Sequence, residues 1–357
     1  MTSSMTPVSF STGIGRICAP WIVAAVHVNG RAVPRVSTRL SRRDRWGAVR
    51  VRWRIGRDRY AVLPGLYAVG RPSAESPVLV SANYKLSFDL LRRSLDGMDA
   101  WILVLDTRGI NVWCAAGKGT FGTAEVLRRI EAVRLEEVVS HRGLVLPQLG
   151  APGVSAPDLR KAGWTVRYGP VRAEDIPAWF AAGGRKTEEM RAVRFRLGDR
   201  MAVAPVELVQ AWPLLLAVSA GALLLALPLS SGFGARLLAS LVPLLGGVLA
   251  AVFAFPALLP WLPFRAFSLK GAVLGLAWGA ATSVAGTALG GISAAEAAGL
   301  TLVTGALSAF LTMNFTGSST FTSQAGAALE VRRGIAPMAV SLLLGVGLSA
   351  ASRLLAW

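Results

Sequence analysis

The stretch PVLVSANYKLSFDLLRRSLDGMDAWILVLD, residues 77–106, decides the fold. It begins with PVLVSAN and ends with WILVLD, two short apolar runs that each predict a buried strand. Between them, YKLSFDLLRRSLDG carries its apolar residues at helical spacing. A strand, a helix and a second strand in this order predict two parallel strands joined by a crossover helix.

The same alternation continues towards residue 184. It predicts, in order, a helix at 123–135 with Thr123 as N-cap, a strand within 137–148, a helix at 156–163, a strand at 164–170 and a helix at 173–184. This pattern indicates a Rossmann-like α/β domain with a mostly parallel sheet and helices on both faces. Ligands of such folds bind beyond the carboxyl ends of the strands. The segments NVWCAAGK (111–118), PQLGAPG (147–153) and YGPVRAED (168–175) all follow strands, so we expect them to meet at one rim.

The region before this domain is rich in arginine. Eleven arginines lie between Arg31 and Arg59, against Asp44 and Asp58. Residues 1–76 predict an irregular region, with RVRWRI at 50–55 as a candidate edge strand. The favoured interpretation is a solvated surface or one that faces lipid headgroups. A nucleic-acid arm is the alternative, but no nucleic-acid-binding motif supports it, and we expect no nucleic-acid partner.

The last part of the chain is apolar, and mean hydropathy over the whole chain is +0.50. From Leu208 to Trp357, only eight residues are charged, and the runs between them are long enough to span a bilayer as helices. The predicted transmembrane helices are five, at 209–229, 237–260, 271–291, 296–313 and 335–355. This predicts a basic N-terminal segment at 1–60, a soluble domain at 61–207 and an all-α membrane domain at 208–357.

Charges around these helices predict the orientation. The first residues lack the pattern of a signal peptide, and the predicted loop at 261–270 carries Arg265 and Lys270. The positive-inside rule then places the soluble domain in the cytoplasm of a bacterial or archaeal cell, on a multi-pass inner-membrane protein. The two cysteines, Cys18 and Cys114, are far apart in the sequence, which argues against a disulfide in that compartment.

The segment NVWCAAGK places one of these cysteines in a predicted helical turn. Asn111 is a good N-cap, residues 112–116 can form the turn, and Gly117 can end it. Cys114 then lies in the first turn, where a helix N-terminus stabilises an anion and favours the thiolate. Lys118 adds positive charge, and the small residues around the sulfur leave room for something large and flat.

Several interpretations of this segment stay open on the residues alone. A phosphate-binding loop fails because Val112 and Gly119 stand where its pattern needs glycine and a hydroxyl residue. A Cys/His nucleophile would need His141, which the pattern places in or beside a strand. Zinc or iron–sulfur ligation needs further thiolates or histidines, which the segment lacks. A buried cysteine of purely structural value and a lone axial ligand to the metal of a planar macrocycle both remain.

The longer segment LDTRGINVWCAAGKGTFGT, residues 105–123, resembles the signature of the mercury-methylating corrinoid membrane proteins, the HgcA family. The resemblance covers about residues 58–357. It includes segments 59–92, 141–154, 168–177 and 313–323. The chain is also distantly similar to the corrinoid iron–sulfur protein of the acetyl-CoA pathway, which lacks the membrane helices and the cysteine ligand.

This resemblance implies a corrinoid-dependent methyltransferase that converts Hg(II) to methylmercury. The corrinoid would bind base-off, with the Cys114 thiolate as the lower axial ligand of cobalt. A corrinoid methyl carrier in one-carbon metabolism with another acceptor is the alternative. The residues that the resemblance places at the lower face of the corrinoid are Asn111, Val112, Trp113, Cys114, Ala115, Ala116, Gly117, Lys118, Gly119 and Thr120. Those that would hold the ring edge and tail are Gln148, Gly150, Ala151, Gly153, Tyr168, Gly169, Pro170 and Arg172.

The resemblance also implies partners. A ferredoxin-like protein with two [4Fe-4S] clusters would supply electrons, because this chain has no cysteine cluster of its own. A methyltetrahydrofolate-dependent methyltransferase would supply the methyl group, and Hg(II) would be the substrate. An alternative from another class is a membrane receptor or transporter component with a nucleotide-binding domain.

Overall fold

The computed structural model describes residues 10–12, 15–17, 19–227, 232–318 and 324–355. The chain divides into two compact units, Met1–Val193 and Arg194–Trp357. The predicted domain boundaries near residues 60 and 207 stay predictions.

The first unit contains every strand that the structure describes. They are β1 Phe10–Thr12, β2 Gly15–Ile17, β3 Ile22–Val28, β4 Arg31–Val36, β5 Gly65–Val69, β6 Val78–Ala82, β7 Ala100–Leu105, β8 Gly143–Leu146 and β9 Thr165–Tyr168. The α-helices of this unit are α1 Arg42–Arg52, α2 Lys85–Ser94, α3 Val112–Gly117, α4 Thr123–Val133, α5 Ala156–Lys161, α6 Ile176–Ala181 and α7 Glu188–Arg191. Short 3-10 turns lie at Arg57–Arg59, Leu135–Glu137, Gln148–Gly153 and Ala173–Asp175.

Seven of these strands form one sheet in the order β3-β4-β5-β7-β6-β8-β9. Strands β7, β6, β8 and β9 are parallel neighbours, whereas β5 runs antiparallel to β7. The chain leaves β6 towards β7 on one side and later returns to β8 on the other side. This reversal between β6 and β8 is a topological switch point, where ligands bind in open α/β sheets.

Helices cover both faces of the sheet, as predicted. One hydrophobic core contains Phe121, Val126 and Leu159 from the side of α4 and α5. The other contains Phe88 of α2 and Trp179 of α6. Strands β5, β6 and β7 are buried throughout, which explains their nearly continuous apolar sequence. The prediction of a mostly parallel sheet is confirmed, because four of the six strand pairings in this sheet are parallel. The other two, β3 with β4 and β5 with β7, are antiparallel.

The prediction that residues 1–76 are irregular is wrong. They supply the β3–β4 hairpin, α1 and β5. Asn29 and Gly30 both have positive φ angles, 49° and 75°, at the turn between β3 and β4. An Asn-Gly turn between apolar runs is a strong hairpin signal, which the density of arginines obscured. The candidate edge strand at 50–55 is instead the end of α1 and the turn that follows it.

Two predicted helix ends shift by a residue or two. Gly122 is the N-cap of α4, and Thr123 is its first residue, whose Oγ1 accepts a hydrogen bond from the Ser155 N–H at 2.8 Å. Gly117 is still within α3, and Lys118 is the C-cap. Gly119, with φ at +78°, makes the left-handed turn after the helix, two residues later than the predicted helix end at Gly117.

The second unit is helical in the residues described. Its helices are α8 Leu197–Met201, α9 Ala204–Gln210, α10 Trp212–Ala226, α11 Phe233–Leu249, α12 Phe255–Leu258, α13 Phe267–Ala288, α14 Ala294–Asn314 and α15 Gln324–Leu354. A π-helical turn at Ala250–Ala254 joins α11 to α12, and a 3-10 turn at Phe315–Ser318 follows α14.

In the part of the chain that the structure describes, four helices are long and apolar enough to cross a membrane, which indicates a membrane protein. They are Phe233–Leu258, Phe267–Ala288, Ala294–Asn314 and Gly326–Leu354. The first predicted span, 209–229, differs from the rest, because α10 is short. Within the described residues, a fifth span could come only from the bent pair Leu197–Gln210 and Trp212–Ala226. The two segments meet at 58°. Residues 228–229 of that predicted span lie outside the described residues.

Three small residues of α13, Gly271, Gly275 and Gly279, bring α13 and α14 close together. A Cβ on Gly275 would lie 2.5 Å from Ser308 Oγ, and one on Gly279 would lie 3.1 Å from Thr304 Cβ. Glycine at these positions therefore permits the approach of the two helices.

A buried ion pair joins α14 to α15. Glu296 Oε1 lies 3.0 Å from Arg353 Nη2, and the Glu296 side chain is 1% exposed. The Ser293 side chain caps α14 by accepting a hydrogen bond from the Glu296 N–H at 3.2 Å. Glu296 thus lies in the first turn of α14, and Arg353 has its carboxylate as a partner.

Candidate functional site

The turn that carries Cys114 follows β7 directly. Asn111 Oδ1 accepts a hydrogen bond from the Cys114 N–H at 2.9 Å, so Asn111 is the N-cap of α3, as predicted. Cys114 is exposed and is not in a disulfide. The structure records no hydrogen bond to its sulfur from any described residue. A nucleophilic and metal-binding atom is therefore presented to the surroundings on a capped, well-defined turn.

The loop before this turn is held by a side chain from the neighbouring strand β6. Asn83 is buried at the end of β6. Its Oδ1 accepts hydrogen bonds from the Thr107 N–H at 3.1 Å and the Gly109 N–H at 2.9 Å. Thr107 is fully buried as well. Since the loops after β6 and β7 are fastened together, the position of Cys114 is set by the sheet.

The other side of the turn packs against the 3-10 segment Gln148–Gly153. A Cβ on Gly150 would come within 2.5 Å of the Phe121 ring. A Cβ on Gly153 would lie 3.0 Å from Ala116 Cα and would overlap the Phe121 carbonyl oxygen. Both glycines are therefore required for the close packing of this segment on α3. Ala115 and Ala116 face the core beneath it.

A cavity of about 440 Å³ lies at the switch point of the sheet. Its walls come from β6, β8 and α2, and from the loops after β7, β8 and β9. Among its lining residues are Val80 of β6, Leu146 of β8 and Leu91 of α2. The predicted meeting of the three loops at one rim is confirmed, because residues from 111–113, 147–149 and 169–174 line this one cavity.

The predicted site residues fall into three groups. Those that line the cavity are Asn111, Val112, Trp113, Gly169, Pro170 and Arg172. Those that are exposed outside its lining are Cys114, Gly117, Lys118, Gly119 and Ala151. Those that lie outside the lining and are buried or half-buried are Ala115, Ala116, Thr120, Gln148, Gly150, Gly153 and Tyr168. Cys114 thus lies on the open side of the same turn whose first residues line the cavity.

Several residues of the third group already have partners within the protein. The Tyr168 hydroxyl donates a hydrogen bond to the Val154 carbonyl at 2.9 Å, and burial raises the pKa of this phenol. Gln148 Oε1 accepts a hydrogen bond from Lys186 Nζ at 2.7 Å, and the same ammonium donates to the Gly169 carbonyl at 3.2 Å. These contacts fix the loops after β8 and β9 to each other.

Lys186 is a residue beside this site that the sequence did not single out. Burial lowers the pKa of its ammonium, and the nearby charge of Arg191 adds to that effect. Asn83 is another. A signal existed for Asn83, because a lone polar residue at the carboxyl end of an apolar strand is typical of loop anchoring and ligand binding. No local pattern marks Lys186, which reaches the site only through the tertiary fold.

Among the described residues, no group of three or more histidine, cysteine, aspartate or glutamate side chains is arranged to hold a metal ion. Cys18, the other cysteine, lies outside the described residues. Within the described part of the chain, Cys114 therefore belongs to no such group, and a metal that bound its sulfur would have to bring further ligands.

Comparison with known proteins gives matches that centre on this unit. Residues 56–180 match the family described as CdhD, CO dehydrogenase/acetyl-CoA synthase delta subunit. The acetyl-CoA decarbonylase/synthase complex subunit gamma of Archaeoglobus fulgidus is 35% identical over 121 residues, which are 33% of this chain and 26% of that protein. The subunit of the same name from Methanopyrus kandleri is 34% identical over 131 residues, which are 36% of this chain and 28% of that protein.

The matched segment includes β5 to β9, the turn of Cys114 and the whole cavity lining. The predicted distant similarity to a protein of acetyl-CoA synthesis is confirmed. The chain spans only about a quarter of the length of these curated relatives, 26% and 28% in the two cases. The similarity therefore concerns the α/β unit and its site, and the membrane helices lie outside it.

Proposed function

We propose that this chain is a membrane-anchored corrinoid protein that transfers a methyl group to Hg(II). The observation that carries the proposal is the exposed sulfur of Cys114, presented beside a cavity at the switch point of an α/β unit that is similar to acetyl-CoA synthase subunits. The sequence around the cysteine, residues 105–123, adds the resemblance to the mercury-methylating family.

The residues present fit a corrinoid in base-off form. Cys114 is exposed, and Gly117 and Gly119 add no side chain beside it, so a planar ring can approach the sulfur. The neighbouring cavity of about 440 Å³ offers room for a part of the cofactor that extends past the ring. Pro170 and Trp113 supply apolar surface there, and Arg172 with its ion-pair partner Glu174 supplies polar groups.

When bound, the corrinoid supplies a cobalt-carried methyl group. Cys114, positioned by the Asn111 cap and the Asn83 anchor, would supply a thiolate ligand to that metal. Thiolates are strongly electron-donating ligands and would tune the reactivity of the metal. The buried wall formed by Ala115, Ala116 and Phe121 holds the turn in place.

The further parts of the proposal concern partners and location. A ferredoxin-like protein with two [4Fe-4S] clusters is the proposed electron donor, and a methyltetrahydrofolate-dependent methyltransferase the proposed methyl source. The α/β unit would face the cytoplasm, with the apolar helices in the inner membrane. A corrinoid methyl carrier with another acceptor is the second candidate, favoured by the similarity to the acetyl-CoA decarbonylase/synthase subunits.

The test compares the full chain, loaded with corrinoid, with Cys114→Ala and with Cys18→Ala as the matched control. We expect a thiolate-ligated cobalt absorption spectrum in the wild type and in Cys18→Ala, and its loss in Cys114→Ala. Each methylated protein is then mixed with Hg(II), and methylmercury is expected from the first two only.

The other outcomes are equally informative. Bound corrinoid with an intact thiolate spectrum but no methylmercury would favour the methyl carrier. A folded protein that takes up no corrinoid would overturn both candidates. It would favour the alternative of a membrane receptor or transporter component.

A further inference from the structure

Helix α1 has an exposed apolar stripe. Trp46, Val49 and Trp53 are 64%, 43% and 41% exposed. Their spacing of three and then four residues places them on one face of the helix and its last turn. Ile55, in the turn that follows, is 53% exposed. Large apolar side chains grouped in this way on a surface mark an interaction site rather than ordinary scatter.

Arginines flank this stripe on both sides. By the helical period, Arg43 and Arg50 lie on one side of it, and Arg45 and Arg52 lie on the other. In the ranges that the structure describes, the exposed guanidiniums of Arg43, Arg45 and Arg50 form no ion pair with a carboxylate. Positive charge beside the stripe is therefore available for an external anion.

The opposite face of α1 is fastened to the domain. Val51 is 1% exposed, and Asp44 is turned inward, where Lys85 Nζ lies 2.6 Å and Arg92 Nη2 3.0 Å from its carboxylate oxygens. The Ser41 side chain and Asp44 form a capping box at the start of the helix. Because the one acid of α1 is neutralised inside, the outer face is purely basic and apolar.

These features fit one occupant best. Tryptophan with aliphatic neighbours, bordered by arginine on a short helix, is the composition of helices that lie in the membrane interface. Indole rings favour the headgroup level, and guanidiniums pair with lipid phosphates. The same chain carries helices able to span a bilayer, so a membrane accompanies every copy of α1. We propose that α1 is an interfacial helix whose Trp46, Val49 and Trp53 insert into a leaflet rich in anionic lipid, with the flanking arginines on its phosphates.

The test measures the depth of α1 in the full chain. A spin label at Val49→Cys, in a Cys18→Ala/Cys114→Ala background, keeps both tryptophans. The matched control label is at Lys161→Cys on α5, where the native side chain is 81% exposed. Both proteins are placed in nanodiscs of phosphatidylcholine alone and of phosphatidylcholine mixed with phosphatidylglycerol.

Relaxation by oxygen, which concentrates in lipid, is compared with relaxation by a water-soluble nickel chelate. We expect the oxygen-to-nickel ratio at Val49 to be several-fold higher than at Lys161 in the anionic discs. The ratio should fall in the neutral discs, at high salt, and in Arg43→Gln/Arg45→Gln/Arg50→Gln.

Three results would overturn the proposal. Water-like accessibility at Val49 in the anionic discs would leave the stripe in solvent. Shielding of Val49 from both reagents, regardless of lipid, would mean that protein covers it. Shielding that appears only when RNA is added would make the surface a nucleic-acid interface.

Discussion

The Oδ1 atom of Asn111 lies 2.9 Å from the backbone nitrogen of Cys114, so the residue that starts the turn also orients the residue that presents the sulfur. Replacing an N-cap asparagine by alanine costs about 1 kcal/mol. We expect Asn111→Ala to weaken corrinoid binding about fivefold and to reduce the thiolate-ligated fraction in the absorption spectrum. Asn111→Asp keeps the acceptor and should keep most of the binding. Equal losses in both variants would show that the cap is not responsible.

The exposure of Cys114 predicts rapid modification by a small alkylating reagent in the native protein. In a Cys18→Ala background, corrinoid at about 100 times its Kd should slow this modification by roughly 100-fold, since only the free protein reacts. The rate is followed by mass spectrometry of the intact chain. Lys161→Cys in the same Cys18→Ala background keeps Cys114, and peptide mass spectrometry should show the same rate of modification at position 161 with and without corrinoid. Protection at that position too would indicate a general change in the protein instead of a ligand over Cys114.

Because the buried Asn83 holds the loop that leads to Cys114, we expect its replacement to make that loop less ordered. Asn83→Ala leaves the Thr107 and Gly109 N–H groups without their acceptor, and each unsatisfied buried group costs on the order of 1–3 kcal/mol. Hydrogen exchange of residues 107–111 should accelerate strongly. Ser81→Ala removes a buried hydroxyl from the same strand and should leave that loop unchanged. Unaltered exchange in Asn83→Ala would mean that other contacts hold the loop.

The Asp44 cluster predicts sensitivity to acid. Burial acts to raise the pKa of Asp44, but hydrogen bonds from Lys85 and Ser41 outweigh it and lower the pKa from 3.8 to about 2. A carboxylate whose pKa is lower in the folded state stabilises the fold above its unfolded pKa, and this contribution disappears as the pH falls through the folded pKa. About 2 kcal/mol should therefore be lost between roughly pH 5 and pH 2.

Hydrogen exchange of the α1 and α2 peptides, corrected for the intrinsic effect of pH, measures this loss. Asp44→Asn should abolish the acid-dependent part and destabilise the unit at neutral pH, because Arg92 is then buried without this partner. Asp158→Asn, on the exposed surface of α5, should keep the wild-type acid profile. The same acid profile in Asp44→Asn would assign the effect to other carboxylates.

The approach of α13 to α14 predicts that bulk at Gly275 is not tolerated. A Cβ there would lie 2.5 Å from Ser308 and 2.7 Å from the Thr304 carbonyl oxygen. Overpacking of this kind costs about 1–3 kcal/mol, so Gly275→Val should lower the Tm of the protein in detergent. Gly221→Val, on α10, meets nothing within 4 Å and is the matched control. A larger loss in the control would contradict the proposed helix contact.

Sequence analysis predicted the part of the fold in which strands and helices alternate. The strands and helices from β6 to α6 were predicted because each apolar run is bounded by polar or glycine-rich turns. Asn111 was predicted as an N-cap because asparagine is a preferred residue at that position. The hairpin before them was missed. Its second strand, β4, carries arginine and proline, which hid the strand pattern, and the Asn29-Gly30 turn was the feature that could have predicted the hairpin.

Sequence analysis predicted only those parts of the site that directly follow a predicted strand. The turn of Cys114 and the loops after β8 and β9 come from strand ends, which share one edge of a sheet. The α2 wall of the cavity could not be read in this way, because which helix face meets which loop depends on strand order. The close packing of Gly150 and Gly153 on Phe121 likewise depends on the tertiary fold and could not be predicted from the sequence.

The Glu296–Arg353 pair has a consequence for the electrical behaviour of the helical unit. An elementary charge that moves through a membrane potential of 100 mV exchanges about 2.3 kcal/mol with the field. Glu296 and Arg353 lie 3.0 Å apart and carry opposite charges, so a displacement that they share transfers no net charge. Whichever leaflet they face, α14 and α15 can therefore shift together at this end without gaining or losing energy as the voltage across the cell envelope changes.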